Sequence, residues 1–184
     1  MRKGNATRER ILEIAEAAVL AKGFGATSIE ELIAEAGLTK SGFFYHFKDK
    51  NELARGLLER YREHNERLLD SVFGRADELT DDPLQDFLVF LKLMADQFAD
   101  LPNGHPGCLT ATYAYQDNLF NAEVRALNQR AISMWRDRFR ARLDVIELEM
   151  PARRASLARA ADEGALLAVA LEHRATNGGR DPAR

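Results

Sequence analysis

Residues 27–53, TSIEELIAEAGLTKSGFFYHFKDKNEL, constrain this chain more than any other stretch. Ser28 with Glu31 three positions later spells a capping box, in which each residue satisfies a free amide of a helix start. Ile29, Leu32, Ile33 and Ala36 follow at i, i+3, i+4, i+7 and form one apolar stripe. Gly37 supplies the left-handed residue that ends a helix, and Leu38 is expected to plug the turn into a core. Thr39 can cap a second helix. Only Leu38 separates Gly37 from Thr39, so the two helices meet at a steep angle, the form of a helix-turn-helix.

The second helix, about 40–47, is short. Phe43 and Phe47 share one face, leaving Lys40, Ser41, Gly42, Tyr45 and His46 for the others. Gly42 costs a helix about 1 kcal/mol relative to Ala. A glycine is useful there if a backbone or a base must approach closely; in a plain helical hairpin it would only permit packing. Ahead of this pair, Ile11, Leu12, Ala15, Ala18 and Val19 form another stripe, and Lys22-Gly23-Phe24 reads as its stop. The leader, residues 1–10, carries Arg2, Lys3, Arg8 and Arg10 against the single acid Glu9. It reads either as a basic arm for phosphates or as a solvated terminus.

Three elements in order, RILEIAEAAVLAKGF, TSIEELIAEAGLTKSGFFYHF and KDKNEL, resemble the DNA-binding domain of the tetracycline-repressor (TetR) family of bacterial transcription regulators. The resemblance covers about the first third of the chain. It implies that the recognition helix reads bases with Lys40, Ser41, Gly42 and Tyr45, with Thr39 at its start. It also implies that Thr27, Ser28, His46 and Lys50 grip phosphates. Hydroxyls, ammonium groups and helix N-termini suit those partners. The family often has Tyr where this chain has Phe44; that phosphate contact is absent, and Phe44 is expected to pack.

The remaining chain reads as helical, so the fold class is all-α: a three-helix helix-turn-helix domain over 1–48, a ligand-binding and dimerisation bundle over 49–176, and a flexible tail over 177–184. Asp49 and Glu52 cap a long helix that buries Leu53, Leu57, Tyr61, Leu68 and Leu69. Thr80-Asp81-Asp82-Pro83 begins the next, and residues 101–107, LPNGHPG, form a loop. A short helix follows at about 108–116. A long one spans about 122–147, and Pro151 opens a last one ending near His173.

An effector pocket is expected among Phe87, Phe90, Met94, Phe98, Cys108, Tyr113, Met134, Trp135 and Phe139, the effector being a small hydrophobic molecule or an electrophile. Aromatic and Met residues at helical spacing are individually more often core. Cys108 follows His105-Pro106-Gly107 at a helix start, where the helix dipole favours a thiolate; the alternative is a small buried hydrophobe.

Ala155, Ala158, Ala161, Gly164, Ala165 and Ala168 allow close helix pairing. The resemblance implies a homodimer built on late helices. Where relatives continue into a further helix, the sequence here reads as a tail, so the dimer is expected either to rest on the 122–147 helix and the last one or to be weaker.

The net charge of −3 argues against non-specific coating of nucleic acid, though not against a local binding face. No apolar run approaches the ~20 residues that span a bilayer, no signal peptide is read, and one cysteine suits a reducing cytoplasm. No catalytic set, metal-ligand spacing or cofactor loop emerges. The expected function is a repressor that leaves a double-stranded palindromic operator on binding effector. The alternative is a small-molecule-binding protein or enzyme whose helix-turn-helix is architectural.

Overall fold

A computed structural model describes the backbone of residues 3–101 and 107–177, and the side chains of 4–101 and 107–156. Seven α-helices run in order: α1 Lys3–Lys22, α2 Ile29–Ala36, α3 Lys40–His46, α4 Lys50–Asp77, α5 Pro83–Ala99, α6 Leu109–Tyr115 and α7 Ala122–Asn177, with a 3-10 turn at Asp117–Leu119. No strand occurs among the described residues. The chain divides into two compact units, Met1–Phe139 and Arg140–Arg184.

Two cores organise the first unit. One gathers Ile11, Leu12, Ala15 and Val19 of α1, Leu32 and Ala36 of α2, Phe43 and Phe47 around α3, and Leu53, Ala54, Leu57 and Leu58 of α4. Leu109 and Tyr113 of α6, Phe120, and Val124 and Leu127 of α7 complete it. The other joins Leu69, Val72, Phe73 and Ala76 of α4 to Phe90 and Met94 of α5, with Trp135 and Phe139 of α7 packed against them. Thus α4 threads both cores, and its first half is the floor of the helix-turn-helix.

Local chemistry explains the boundaries. Asp82 caps α5 by accepting from the Gln85 amide at 2.8 Å, with Pro83 in the first turn, where a missing N–H is harmless. Two expectations fail. The leader is not separate from the domain: α1 is already helical from Lys3, and the Arg8 guanidinium lies 5.1 Å from the centre of the Phe47 ring. Nor does Pro151 open a new helix; α7 runs through it. A proline deletes one backbone donor. The neighbouring residues still favour the helix, and Arg153 reaches Glu149 at 3.2 Å across the proline. Residues 102–106 of the loop, the side chains of the small-residue stripe from Ala158 onward and the tail from 178 lie outside the described residues.

Candidate nucleic-acid interface and ligand cavity

The α2–turn–α3 unit is held by its own backbone. Ser28 Oγ accepts from the Glu31 amide at 3.2 Å. The reciprocal half of the expected capping box does not form, because Lys22 Nζ holds the Glu31 carboxylate at 2.5 Å and lowers its pKa. At the other end Gly37 sits at φ 65°, its N–H on Ala34 O at 3.2 Å, while Leu38 N–H reaches Ile33 O at 3.0 Å. That pair of bonds is a Schellman stop, which only a residue tolerant of the left-handed region closes without strain. Thr39 caps α3 through the Gly42 amide at 3.1 Å. A Cβ on Gly42 would lie 3.2 Å from that same hydroxyl, a tight contact that the cap would have to ease by a few tenths of an ångström.

Phe43 and Phe47 are fully buried and fix α3 to the core. Thr39, Lys40, Ser41 and Tyr45 are all exposed, with Ser28 exposed at the start of α2. Tyr45 keeps 83% of its surface accessible, and its ring stands edge-on to His46, 5.0 Å between centres. An extended aromatic hydroxyl, an ammonium and two hydroxyls on one short helix make a surface able to donate and accept hydrogen bonds in a groove.

Three expected placements are corrected. Thr27 is 1% exposed and donates its hydroxyl to Gly23 O at 2.9 Å, so it closes the α1–α2 turn and faces no phosphate. Lys50 turns inward. Its Nζ lies 3.4 Å from Gly25 O and 4.8 Å from the centre of the Phe24 ring, and burial lowers its pKa. Phe44 does not pack fully; it stays 38% exposed and touches the core edge-on through Phe43. Lys48, which sequence reasoning passed over, is the exposed cation beside α3. Its amide donates to Glu52 Oε2 at 2.8 Å, while Asp49 caps α4 through the Glu52 amide at 2.8 Å. The signal was available in Lys48-Asp49-Lys50, where the cap at Asp49 separates an outward lysine from an inward one.

A cavity of about 830 Å³ opens beside α4. Its walls are Glu16 and Leu20 of α1; Tyr61, His64, Asn65, Arg67, Leu68 and Ser71 of α4; Gln97 and Phe98 of α5; Leu101, Gly107 and Cys108; Thr110 of α6; and Ile132 and Trp135 of α7. Of the expected pocket residues, Phe98, Cys108 and Trp135 line it. Phe87, Phe90, Met94, Met134 and Phe139 belong instead to the second core, where Phe73 and Phe90 stack 3.9 Å apart. Tyr113 belongs to the first core, stacked on Phe120 at 4.3 Å with its hydroxyl on Ala54 O at 3.3 Å. Burial raises its pKa well above the usual tyrosine range.

Cys108 is exposed on the cavity wall and is the N-cap residue of α6. Burial pushes its thiol up, but hydrogen bonds from the Thr110 hydroxyl, the Ala111 amide and the Tyr61 hydroxyl outweigh it, and the pKa falls below the ordinary value. Its Sγ lies 3.0 Å from Thr110 Oγ1 and 3.7 Å from Tyr61 Oη. Burial, then the Cys108 contact, raises Tyr61 to about 12.

Helix α6 has a second anchor at its far end. Gln116 Oε1 accepts from the Phe24 amide at 2.8 Å and the Gly25 amide at 3.2 Å, in the turn that leads into α2. Gly23 stands at φ 84°, and a Cβ there would lie 2.7 Å from Gln116 Nε2. One short helix therefore touches the cavity at Cys108 and Thr110 and the α1–α2 turn at Gln116, about 10 Å apart at 1.5 Å per residue.

Residues 11–57 match the family described as bacterial regulatory proteins, tetR family. The chain is 32% identical over 95 residues to the probable HTH-type transcriptional regulator ArpR of Pseudomonas putida, covering 52% of this chain and 42% of that protein. It is 35% identical over 80 residues to the HTH-type transcriptional regulator TtgR, also from Pseudomonas putida, covering 42% and 36%. The chain thus spans less than half the length of these curated relatives. Among solved structures, a TetR transcriptional regulator from Chloroflexus aurantiacus superposes with a TM-score of 0.62 at 26% identity, covering 79% of this chain and 71% of that one.

Proposed function

We propose, from the premise that the N-terminal domain of this chain belongs to the TetR family of bacterial regulatory proteins, that the chain is a ligand-responsive, DNA-binding transcriptional repressor. The observation that carries the reading is the division of α3 into buried anchors and exposed polar side chains. Phe43 and Phe47 are locked in the core, while Lys40, Ser41 and Tyr45 are exposed to solvent. A helix so anchored presents its side chains to a major groove without reordering, so little conformational entropy is lost on binding. Lys40 can reach guanine or phosphate, and Tyr45 offers its hydroxyl and ring edge to a base edge. Lys48 and the α2 N-terminus at Ser28 hold the flanking phosphates.

Two copies form the working unit, with residues 1–48 reading DNA and 49–176 carrying effector binding and dimerisation. Their recognition helices occupy successive major grooves on a near-palindromic operator, roughly 34–36 Å apart. Effector binds the cavity beside Cys108 and Trp135. Because α6 ends on Gln116 at the α1–α2 turn, a shift of its first residues moves the platform under α2 and α3. The effector releases DNA only insofar as it prefers the shifted arrangement. No helix among the described residues is long and apolar enough to cross a membrane; we place the protein in the cytoplasm, acting without catalysis.

The test is fluorescence anisotropy with the DNA upstream of the protein's own gene. Tight binding that survives excess competitor DNA is expected, with Tyr45→Ala losing discrimination and Lys40→Ala losing about tenfold in affinity. Equal affinity for upstream and random DNA would overturn the assignment.

A further inference from the structure

The charges around the cavity select a class of ligand. His64 and Arg67 lie one turn apart on the α4 wall, and neither forms a hydrogen bond or ion pair among the described residues. Their neighbours are engaged in ion pairs. Arg60 reaches Glu9 at 3.3 Å, Glu13 at 3.4 Å and Glu16 at 2.6 Å. Arg62 holds Glu66 at 2.6 Å, and Arg138 holds Asp70 at 2.5 Å. Glu63, one turn before Arg67, lies outside the lining. The carboxylate in the lining, Glu16, is held by Arg60, which Glu9 and Glu13 share, whereas the guanidinium in the lining, Arg67, has no ion-pair partner among the described residues. The opposite walls are apolar: Leu20, Phe98, Ile132 and Trp135.

We infer that the cavity binds an amphipathic organic anion, with its carboxylate or comparable acidic group on Arg67 and His64 and its apolar body against Phe98, Ile132 and Trp135. This rests on the reading of the cavity as the effector site. Glu16 on the cavity wall is already held by Arg60 at 2.6 Å, and an acidic group gives the exposed Arg67 a charged partner that a neutral group does not. A planar guanidinium presents a fork of donors that matches a carboxylate edge to edge. A volume of about 830 Å³ is in the range that encloses a small organic molecule. Asn65, Ser71 and Gln97 add neutral polar groups on the same cavity wall.

The chain carries its own reporter. Trp135 is the single tryptophan, and it lines the cavity. The experiment follows Trp135 fluorescence in the full-length protein while phenylbutyrate, phenylbutanol and phenylbutylammonium are titrated separately. Phenylbutyrate is expected to bind about tenfold more tightly than the alcohol, and the ammonium more weakly than either. Arg67→Gln is expected to remove the tenfold preference and leave the alcohol within twofold of its parent value. Arg67→Lys should retain part of the preference, and an unchanged far-ultraviolet dichroism spectrum shows that each variant folds. Equal affinity for acid and alcohol, preference for the ammonium, no response to any of the three, or equal weakening of acid and alcohol by Arg67→Gln would overturn the inference. The titration needs no DNA, so its failure is read apart from failure of the regulator assignment.

Discussion

The contact between Gln116 and the α1–α2 turn can be tested with a double-mutant cycle. Gly23→Ala places a Cβ 2.7 Å from Gln116 Nε2 at a backbone φ of 84°. The left-handed conformation alone costs an alanine about 1 kcal/mol. To make room, the carboxamide must also leave the Phe24 and Gly25 amides, which it holds at 2.8 and 3.2 Å. The first of these is partly buried and the second exposed, so together they are worth about 1–2 kcal/mol. Gly23→Ala is therefore expected to cost about 2–3 kcal/mol, lowering Tm by about 4–12 °C for a chain of this size. Gln116→Ala loses the same two bonds and nothing else, about 1–2 kcal/mol. In the double variant the bonds can be lost only once, so the total stays near 2–3 kcal/mol rather than the additive 3–5. Urea unfolding of the four proteins measures the coupling directly. Additivity within about 0.5 kcal/mol would refute the clamp as drawn.

Other outcomes follow from the side chains as placed. Lys50→Ala is expected to cost about 0.5–1 kcal/mol of stability through loss of its contact with Phe24 and to leave the salt dependence of DNA binding unchanged, whereas Lys48→Ala should reduce that salt slope by about one; parallel melts and salt titrations separate them. Thr27→Val should lower stability by about 1 kcal/mol with no separate loss of operator affinity, as urea melts and anisotropy would report. The Cys108 thiol is held below its ordinary pKa in part by the Tyr61 hydroxyl, and the thiolate is the species that alkylates. Tyr61→Phe removes that donor, so the pH profile of iodoacetamide alkylation at Cys108 should move to higher pH; an unmoved profile would deny Tyr61 the role.

The helix-turn-helix was legible because its signals are local. Ser28, Gly37, Thr39 and Asp49 act on amides within a few residues, and Phe43 and Phe47 announce a buried face by spacing. Thr27 and Lys50 misled because residue type does not reveal direction. A threonine beside a cap and a lysine at a helix start both look solvent-facing, until the fold brings Gly23 O and the Phe24 ring within reach. The cavity was legible only in part. Choosing aromatic residues by chemistry found Phe98 and Trp135, but Phe87, Phe90 and Phe139 pack on one another. Much of the wall comes from His64, Asn65, Arg67 and Ser71, polar positions of a helix read only for its apolar stripe. The Gln116 clamp joins residues 92 apart, and no local pattern announces it.

The central claim is that the exposed face of α3 enters a DNA groove. The most direct measurement places an iron chelate on Tyr45→Cys in a Cys108→Ser background and maps where it cleaves the DNA upstream of the protein's own gene. The account predicts two clusters of cuts about one helical turn apart, roughly 34–36 Å, related by the symmetry of the operator. Cleavage spread evenly along the fragment, or none above that of free chelate, would contradict it.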